Sequence, residues 1–371
     1  MKVLVVGAGF SGATVARKLA EKNHEVIVVD KRNHIAGNAY DYQEDGIHVH
    51  KYGAHIFHTP NREVWDFVNE YAEFTDYRHH VRAIYNGRNY SMPISLDTIA
   101  QFLGRNVSPE YARGWVKGHA EEIEGSPKNL EEKAISLIGR PLYEAFIKGY
   151  TMKQWNKDPK DLPQSIINRL PVRFNYNTRY FNDSYEGMPV GGYTKLIENI
   201  LSHPNISVAL NTDALILDWN NMDAVYYCGP IDHLFNYVHG KLEWRSVEFK
   251  LEKHDSENLY GASVTNFSDP GVEWTRAIEF KNFYPEESAL QKGTIIALEK
   301  SKTPESQDEY YYPINTDRSK EILKLYEIEA SKIDGLFMGG RMGRHAYYDM
   351  HQAIAIAFKD AQKISSYLET L

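Results

Sequence analysis

Apolar positions along the chain follow three different periods. Residues 2–6, KVLVV, form an uninterrupted β-branched run, which predicts a strand buried on both faces. GAGFSG follows, and ATVARKLAEKNH then sets Ala13, Ala16, Leu19 and Ala20 on one side of a helix. EVIVVD, residues 25–30, is a second buried strand and ends on an acid. From about 60 to 165 the period lengthens to that of helices. NREVWDFVNEYA carries Val64, Phe67, Val68 and Tyr71, with Asn61 as cap after Pro60. LDTIAQFLG and EEKAISLIGRPLYEAFIKGYTMKQW continue the helical pattern. HHVRAIYNGRNYSMP, residues 79–93, alternates instead and predicts a hairpin turning at NGR. Strands return at 205–210, 224–230, 244–253, 293–300 and 335–341. The last element places Ile354, Ala357, Phe358, Ala361, Ile364 and Leu368 on one face of a long helix. KSKTPESQDE, residues 300–309, predicts an exposed loop, and no internal repeat or low-complexity segment is present.

Composition narrows the function classes. The chain has 371 residues, enough for two or three domains, with 42% hydrophobic and 25% charged residues, the balance of a soluble globular protein. No apolar run approaches the ~20 residues that span a bilayer, and MKVLVV is interrupted too soon for a signal peptide. A single cysteine, Cys228, excludes an internal disulfide and any cysteine-based metal cluster, and fits a reducing cytoplasm. The net charge of −8 argues against a nucleic-acid partner or an anionic-membrane surface, as the missing apolar run argues against membrane insertion, although a few arginines can still make a pocket for a small anion. Twenty-six tyrosines are more than core packing asks for, and a ring with a hydroxyl suits stacking and phosphate or sugar binding.

Strand, glycine-rich turn, helix, strand and acid within about 30 residues is the βαβ dinucleotide pattern. Gly7 permits the tight turn, Gly9 lets backbone approach a pyrophosphate, and Gly12 lets the helix pack on the strand. Phe10 and Ser11 open the helix, whose free N–H groups favour phosphate. Asp30, eighteen residues beyond Gly12, is placed for a ribose. YGAHIFHT, residues 52–59, is open in meaning on its own: His55 and His58 could belong to a metal site, a catalytic pair or a turn.

KRNHIAGNAY after the acid, with Lys31, Arg32, Gly37 and Asn38, resembles the FAD proteins that include the amine oxidases. GLFMGGRMGRHAYYDMHQ resembles their second signature, with Gly339, Gly340, Arg341, Asp349 and Met350 near the flavin. This makes the implied cofactor FAD. Along essentially its whole length the chain then resembles the bacterial UDP-galactopyranose mutase family, through YGAHIFHT, GYTMKQW, LPVRF, GPID, YYPIN and GGRMGRHAYYDMHQ in that order. The resemblance implies an isomerase that interconverts UDP-galactopyranose and UDP-galactofuranose, with N5 of reduced FAD as nucleophile on the anomeric carbon. It implies Arg169 on a mobile loop and Arg276 as its partner at the diphosphate, with Tyr180, Tyr312 and Tyr347 bonding phosphate. The choice within Tyr310–Tyr312 is open by a residue or two. Tyr150 is implied to stack on uracil, Trp155 to line the sugar pocket, and Asn266 and Asp349 to lie near UDP and flavin. Gly53, His55 and Ile56 fall in a flavin-facing loop with His58 near the sugar, and no metal is expected, because no third ligand is suggested and the family uses none.

The implied fold is α/β: a discontinuous Rossmann-like FAD-binding domain (1–75, 190–242 and 330–371), an inserted helical domain (95–165) and an inserted antiparallel sheet domain (76–94, 166–189 and 243–329). A reductant such as NAD(P)H or a reductase, and a cytoplasmic homodimer, belong to the same expectation. Asp30 stands where the family usually has glutamate, Ala54 where proline is common, and IEFKNF replaces a more histidine-rich string. These departures leave UDP-N-acetylgalactosamine as an alternative substrate. A flavin oxidase of the amine-oxidase type and a non-catalytic FAD-binding protein are the rival readings.

Overall fold

A computed structural model describes residues 1–371 apart from 122, 124, 170, 306 and 307 and the side chains of Asn168 and Arg169. The fold grows from β1 (Lys2–Val6), α1 (Phe10–Ala20) and β2 (Glu25–Val29). β1 lies between β2 and the strand Ala224–Tyr227, which is flanked by Leu336–Met338, while Ile206–Ala209 closes the far edge beside β2. Every neighbouring pair in this five-stranded sheet is parallel. Val3, Val5, Val26 and Val28 are fully buried, as a sheet covered on both faces requires. Ala13, Ala16, Leu19 and Ala20 of α1 are likewise buried, and the terminal helix Met350–Leu368 packs against α1. That helix is tied to the sheet by buried Asp360, which accepts from Arg344 at 2.7 Å and from the Tyr226 hydroxyl at 2.9 Å.

A second sheet of seven strands stands apart from the first. Its order is Tyr312–Pro313, Trp244–His254, Thr294–Lys302, Arg276–Glu279, Val264–Phe267, Val81–Tyr85 and Arg88–Met92. All its pairings are antiparallel except that between Val264–Phe267 and Val81–Tyr85. The expected hairpin turns at Asn86 and Gly87, with φ of 49° and 68°, the pair of left-handed residues that a two-residue turn needs. Helices between residues 96 and 155 make up the helical insertion. The fold class is therefore the expected one: a Rossmann-like sheet assembled from distant segments, with a helical and a largely antiparallel insertion.

Several boundaries differ for local reasons. Asn61 does cap the helix Arg62–Asn69, accepting from the Glu63 and Val64 amides, but the helix ends three residues before the pattern does. The long helical pattern at 131–155 breaks at Gly139, whose φ of +78° is left-handed and precedes Pro141. It resumes with wider π-type turns over Tyr143–Lys148 before Gly149–Trp155. The strand at 293–300 runs on to Lys302, so the expected exposed loop begins late. Glu309, at its end, is drawn inward by an ion pair with Arg32 at 2.5 Å.

Gly12 shows how tightly the first unit closes. A Cβ there would stand 1.8 Å from the Gly7 carbonyl oxygen, whereas one at Gly114, on an exposed helix, would meet nothing within 4 Å. Gly12→Ala should lower the thermal midpoint by roughly 3–8 °C, the cost of overpacking a rigid backbone contact. Gly114→Ala should leave it unchanged or raise it slightly. Differential scanning calorimetry checks both, and equal midpoints for the two variants would contradict this packing.

Candidate active site

Two cavities meet at one wall. The first, about 340 Å³, runs along the glycine-rich turn and is lined by Gly7, Gly9, Phe10, Ser11 and Gly12. Asp30, Lys31, Arg32, Gly37, Gly340 and Arg341 complete its polar and glycine walls. The second, about 600 Å³, lies under the seven-stranded sheet. Asn38, His55, Arg341 and Met350 line both. A ligand filling the first therefore ends where a ligand of the second begins.

The first cavity is shaped for a dinucleotide by backbone contacts. A Cβ on Gly37, itself at φ +55°, would stand 3.2 Å from Gly9 Cα, so Gly37 must stay bare for the two turns to lie this close. One Asp30 oxygen accepts from the Ala8 amide and the other from the Arg32 amide, each at 2.9 Å, which pins the acid at the cavity wall. Arg32 bonds Asn38 Oδ1 at 2.8 Å and lies over the Tyr52 ring. Cys228 borders this cavity too, but burial pushes its thiol well above the ordinary range, so it supplies no thiolate at neutral pH.

The second cavity is organised by strand register. Asn266 faces Arg276 across one strand pair, and Arg276 faces Glu299 across the next. Directly opposed residues share a face of the sheet, so these three form one polar row at the cavity wall. Arg276 Nε donates to Glu299 Oε2 at 2.7 Å. Burial works against the Arg276 charge, but Glu299 outweighs it and holds the guanidinium well above its usual range. Arg276 lines the same cavity as Tyr150, Tyr180, Tyr312 and Tyr347. Burial raises the Tyr150 phenol to about 12. Tyr312 and Tyr347 stack at 5.7 Å, with the Arg341 guanidinium over Tyr347.

Helix Gly149–Trp155 is pressed onto the turn between the strands that carry Asn266 and Arg276. A Cβ on Gly149 would stand 2.3 Å from the Ser268 carbonyl. Lys153 locks the contact by donating to the carbonyls of Phe267, Asp269, Val272 and Trp274 at 2.6–3.1 Å.

His55 and His58 do not act as a pair. His55 Nδ1 donates to the Gly53 carbonyl at 2.8 Å, which fixes the tautomer with Nε2 as acceptor. Burial pushes this imidazole down to about 3, assisted by neighbouring His50. His58 turns instead to Asp183 at 2.5 Å and stacks on Phe181.

Comparison with known proteins decides the family. The pattern described as UDP-galactopyranose mutase matches residues 145–347, and that of an NAD(P)-binding Rossmann-like domain matches residues 5–71. A Klebsiella pneumoniae protein named "Probable UDP-galactopyranose mutase" is 41% identical over 98% of this chain and 94% of its own. The chain belongs to the UDP-galactopyranose mutase family. An Escherichia coli dTDP-fucopyranose mutase is 38% identical over 97% of each chain, so relatives at similar distance carry different nucleotide-sugar names. A crystal structure of reduced UDP-galactopyranose mutase shares the fold with a TM-score of 0.77 at 16% identity, covering 100% of this chain and 96% of that one.

Of the residues that the resemblance to this family suggested, Arg276, His58, Tyr150, Tyr180, Asn266, Tyr312, Tyr347 and Asp349 line the second cavity, and so does Ile56, which was expected beside the cofactor. The tyrosine cluster divides, with Tyr310 on the first cavity and Tyr311 and Tyr312 on the second. Trp155 lines neither. It sits at the end of its helix, five residues beyond Tyr150 and so on a different face, and packs against the core. Gly53 also lies off the cavity; its φ of +92° and the Phe249 ring 3.0 Å from where a Cβ would stand explain the glycine. The Arg169 side chain lies outside the described residues. Glu299 was missed, although a lone acid ending the apolar run TIIALE was a usable signal. Asp183 and His351 had none, because only the tertiary fold brings them to His58.

His50 and His79 are buried outright, and burial pushes both imidazoles down to about 3, with His48 acting on His50 and Arg276 on His79. Each ring is neutral when folded and takes up a proton on unfolding once the pH is below about 6.5. Their contribution is complete above that pH and is lost as pH falls towards 3. Within the window, unfolding free energy should drop by about 1.4 kcal/mol per pH unit for each histidine. Urea midpoints that stay level between about pH 7 and 5 would contradict this.

Proposed function

We propose that the chain interconverts UDP-galactopyranose and UDP-galactofuranose, with FAD in the first cavity and the nucleotide sugar in the second. The observation that carries the reading is their junction at Asn38, His55, Arg341 and Met350, beneath a braced, charged Arg276. The glycine cradle, the Asp30 wall and the α1 amides fit a dinucleotide. Reduced flavin supplies the nucleophile for the sugar's anomeric carbon, with no net redox change.

The protein's own groups then do the following. Arg276 neutralises the diphosphate as it departs, and because Glu299 fixes its Nε, little reorganisation is needed. Tyr180, Tyr312 and Tyr347 donate hydroxyls to phosphate oxygens, Tyr150 stacks on the base, and Arg169 completes the anion site from its own loop. Asn266, level with Arg276 on the sheet, bonds the nucleotide. His55, neutral with Nε2 as the acceptor nitrogen, takes a hydrogen bond at the cofactor end without adding charge. His58, held by Asp183, addresses sugar hydroxyls. A reductant such as NAD(P)H maintains the cofactor, and the working form is a cytoplasmic homodimer.

Chromatography of nucleotide sugars after incubation with UDP-galactofuranose, with and without dithionite, tests the reading, with dTDP-fucofuranose run in parallel because of the Escherichia coli relative. Conversion of UDP-galactofuranose only under reduction is expected. No conversion by flavin-loaded, reduced protein, or conversion of the dTDP sugar alone, would overturn it. Arg276→Ala should lower kcat/KM by roughly 100- to 1,000-fold, while the flavin-to-protein absorbance ratio stays unchanged.

A further inference from the structure

His79 stands just ahead of the strand Val81–Tyr85, and the hairpin pattern of that stretch gave it no chemistry. In the structure it is 3% exposed and lines the second cavity. Its main chain is held on both sides: the amide donates to Glu186 Oε1 at 2.5 Å, and the carbonyl accepts from the Tyr180 amide at 2.8 Å. The ring lies edge-on to Tyr180 at 5.5 Å and stacks on Phe181 at 5.7 Å and Phe283 at 6.4 Å, which fixes its plane.

Three hydrogen bonds behind the ring decide which nitrogen carries the proton. Ser263 Oγ lies 3.1 Å from the Asn282 carbonyl, which can only accept, so the serine hydroxyl donates there. The Tyr77 hydroxyl then donates to Ser263 Oγ at 2.7 Å. With its one proton committed, Tyr77 can only accept from His79 Nδ1, at 2.9 Å. The chain ends on a backbone carbonyl and cannot reverse. Nδ1 therefore carries the hydrogen, and Nε2 keeps its lone pair with no hydrogen-bond partner among the described residues. Burial, with Arg276 as the next influence, pushes this imidazole down to about 3, so it takes no second proton near neutral pH. Tyr77 lies outside the cavity that His79 lines, so the ring edge turned away from Tyr77, which carries Nε2, is the one left for the cavity.

A bare acceptor selects its ligand. Phosphate oxygens also only accept, so they gain nothing there, whereas a hydroxyl or N–H donor does. Position favours the hydroxyl. The helix of Tyr150 presses on Ser268, beyond one end of the strand Val264–Phe267, while Ser263 and His79 lie at its other end, ahead of the Val264–Val81 pair. At that end Phe283 stacks on both His79 and His50, and His50 Nδ1 accepts from the amide of His55, a residue of the cavity junction, at 3.2 Å. We propose that a hydroxyl of the hexose donates to His79 Nε2, which makes His79 a specificity residue for the sugar and Tyr77 and Ser263 its positioning residues. This rests on the nucleotide-sugar reading above. A sugar lacking that hydroxyl would leave a buried acceptor unpaired, a larger loss than a missing apolar contact.

Calorimetric affinities of oxidised, flavin-loaded protein for UDP and UDP-galactose test this. His79→Leu should weaken UDP-galactose roughly tenfold or more while UDP stays within about twofold, and His79→Gln, which keeps an acceptor, should recover most of the loss. One of the monodeoxy UDP-galactoses should bind wild type roughly tenfold more weakly than the parent, a difference that vanishes in His79→Leu. Tyr77→Phe, which frees the tautomer from outside the cavity, should weaken UDP-galactose alone and covers the loss of a His79 variant to misfolding, with flavin content reporting the fold. Equal weakening of UDP and UDP-galactose, or no change in either, would overturn the role of His79 and leave the nucleotide-sugar reading standing. Wild-type protein that binds neither ligand would overturn both.

Discussion

The ion pair between Arg276 and Glu299 sets the terms for the rest of the site. A guanidinium taken out of water costs several kcal/mol unless a partner of good geometry meets it. Here the partner is fixed by strand register, so the charge cannot relax without disturbing two strand pairs. Slipping either strand by one residue would turn the row to the other face. The seven-stranded sheet thus serves less as a hydrophobic wall than as a ruler that holds Asn266, Arg276 and Glu299 level.

The parallel-sheet domain meets that ruler where the two cavities join. The loop after β2 brings Asn38, the short helix Gly340–Gly343 brings Arg341 and the first turn of the terminal helix brings Met350 to the place where the two cavities touch. Arg341 joins the halves directly, donating to the Tyr311 and Tyr348 carbonyls while its plane covers Tyr347. A chain of net charge −8 can therefore still present an anion site, because its cavity cations are individually braced. Arg32 is held by Glu309 and Arg276 by Glu299, while Lys153, outside both cavities, clamps the helix bearing Tyr150 through four carbonyls.

What the sequence made legible follows from how local each feature is. The βαβ unit is encoded within 30 residues by periodicity and glycine spacing, and the Asn61 cap and the Asn86–Gly87 turn lie within single turns. The resemblance in residues also picked out the tyrosines and Arg276. Features that depend on register or on crossing segments stayed hidden. Glu299 becomes meaningful only once it is known to face Arg276 across a strand pair. Trp155 looked like a pocket residue because it shares a motif with Tyr150, but the helix turns it away. The Asp183–His58–His351 convergence joins segments far apart in the chain, which no local pattern records.

The central claim is that the two cavities form one site in which a nucleotide sugar lies against the cofactor. The most direct test is to titrate the flavin-loaded protein with UDP and follow the flavin absorbance. A saturable spectral change that weakens strongly in Arg276→Ala is the predicted result. Tight UDP binding by calorimetry with no change in the flavin spectrum would contradict the account, because it would place the nucleotide away from the junction at Asn38, His55, Arg341 and Met350.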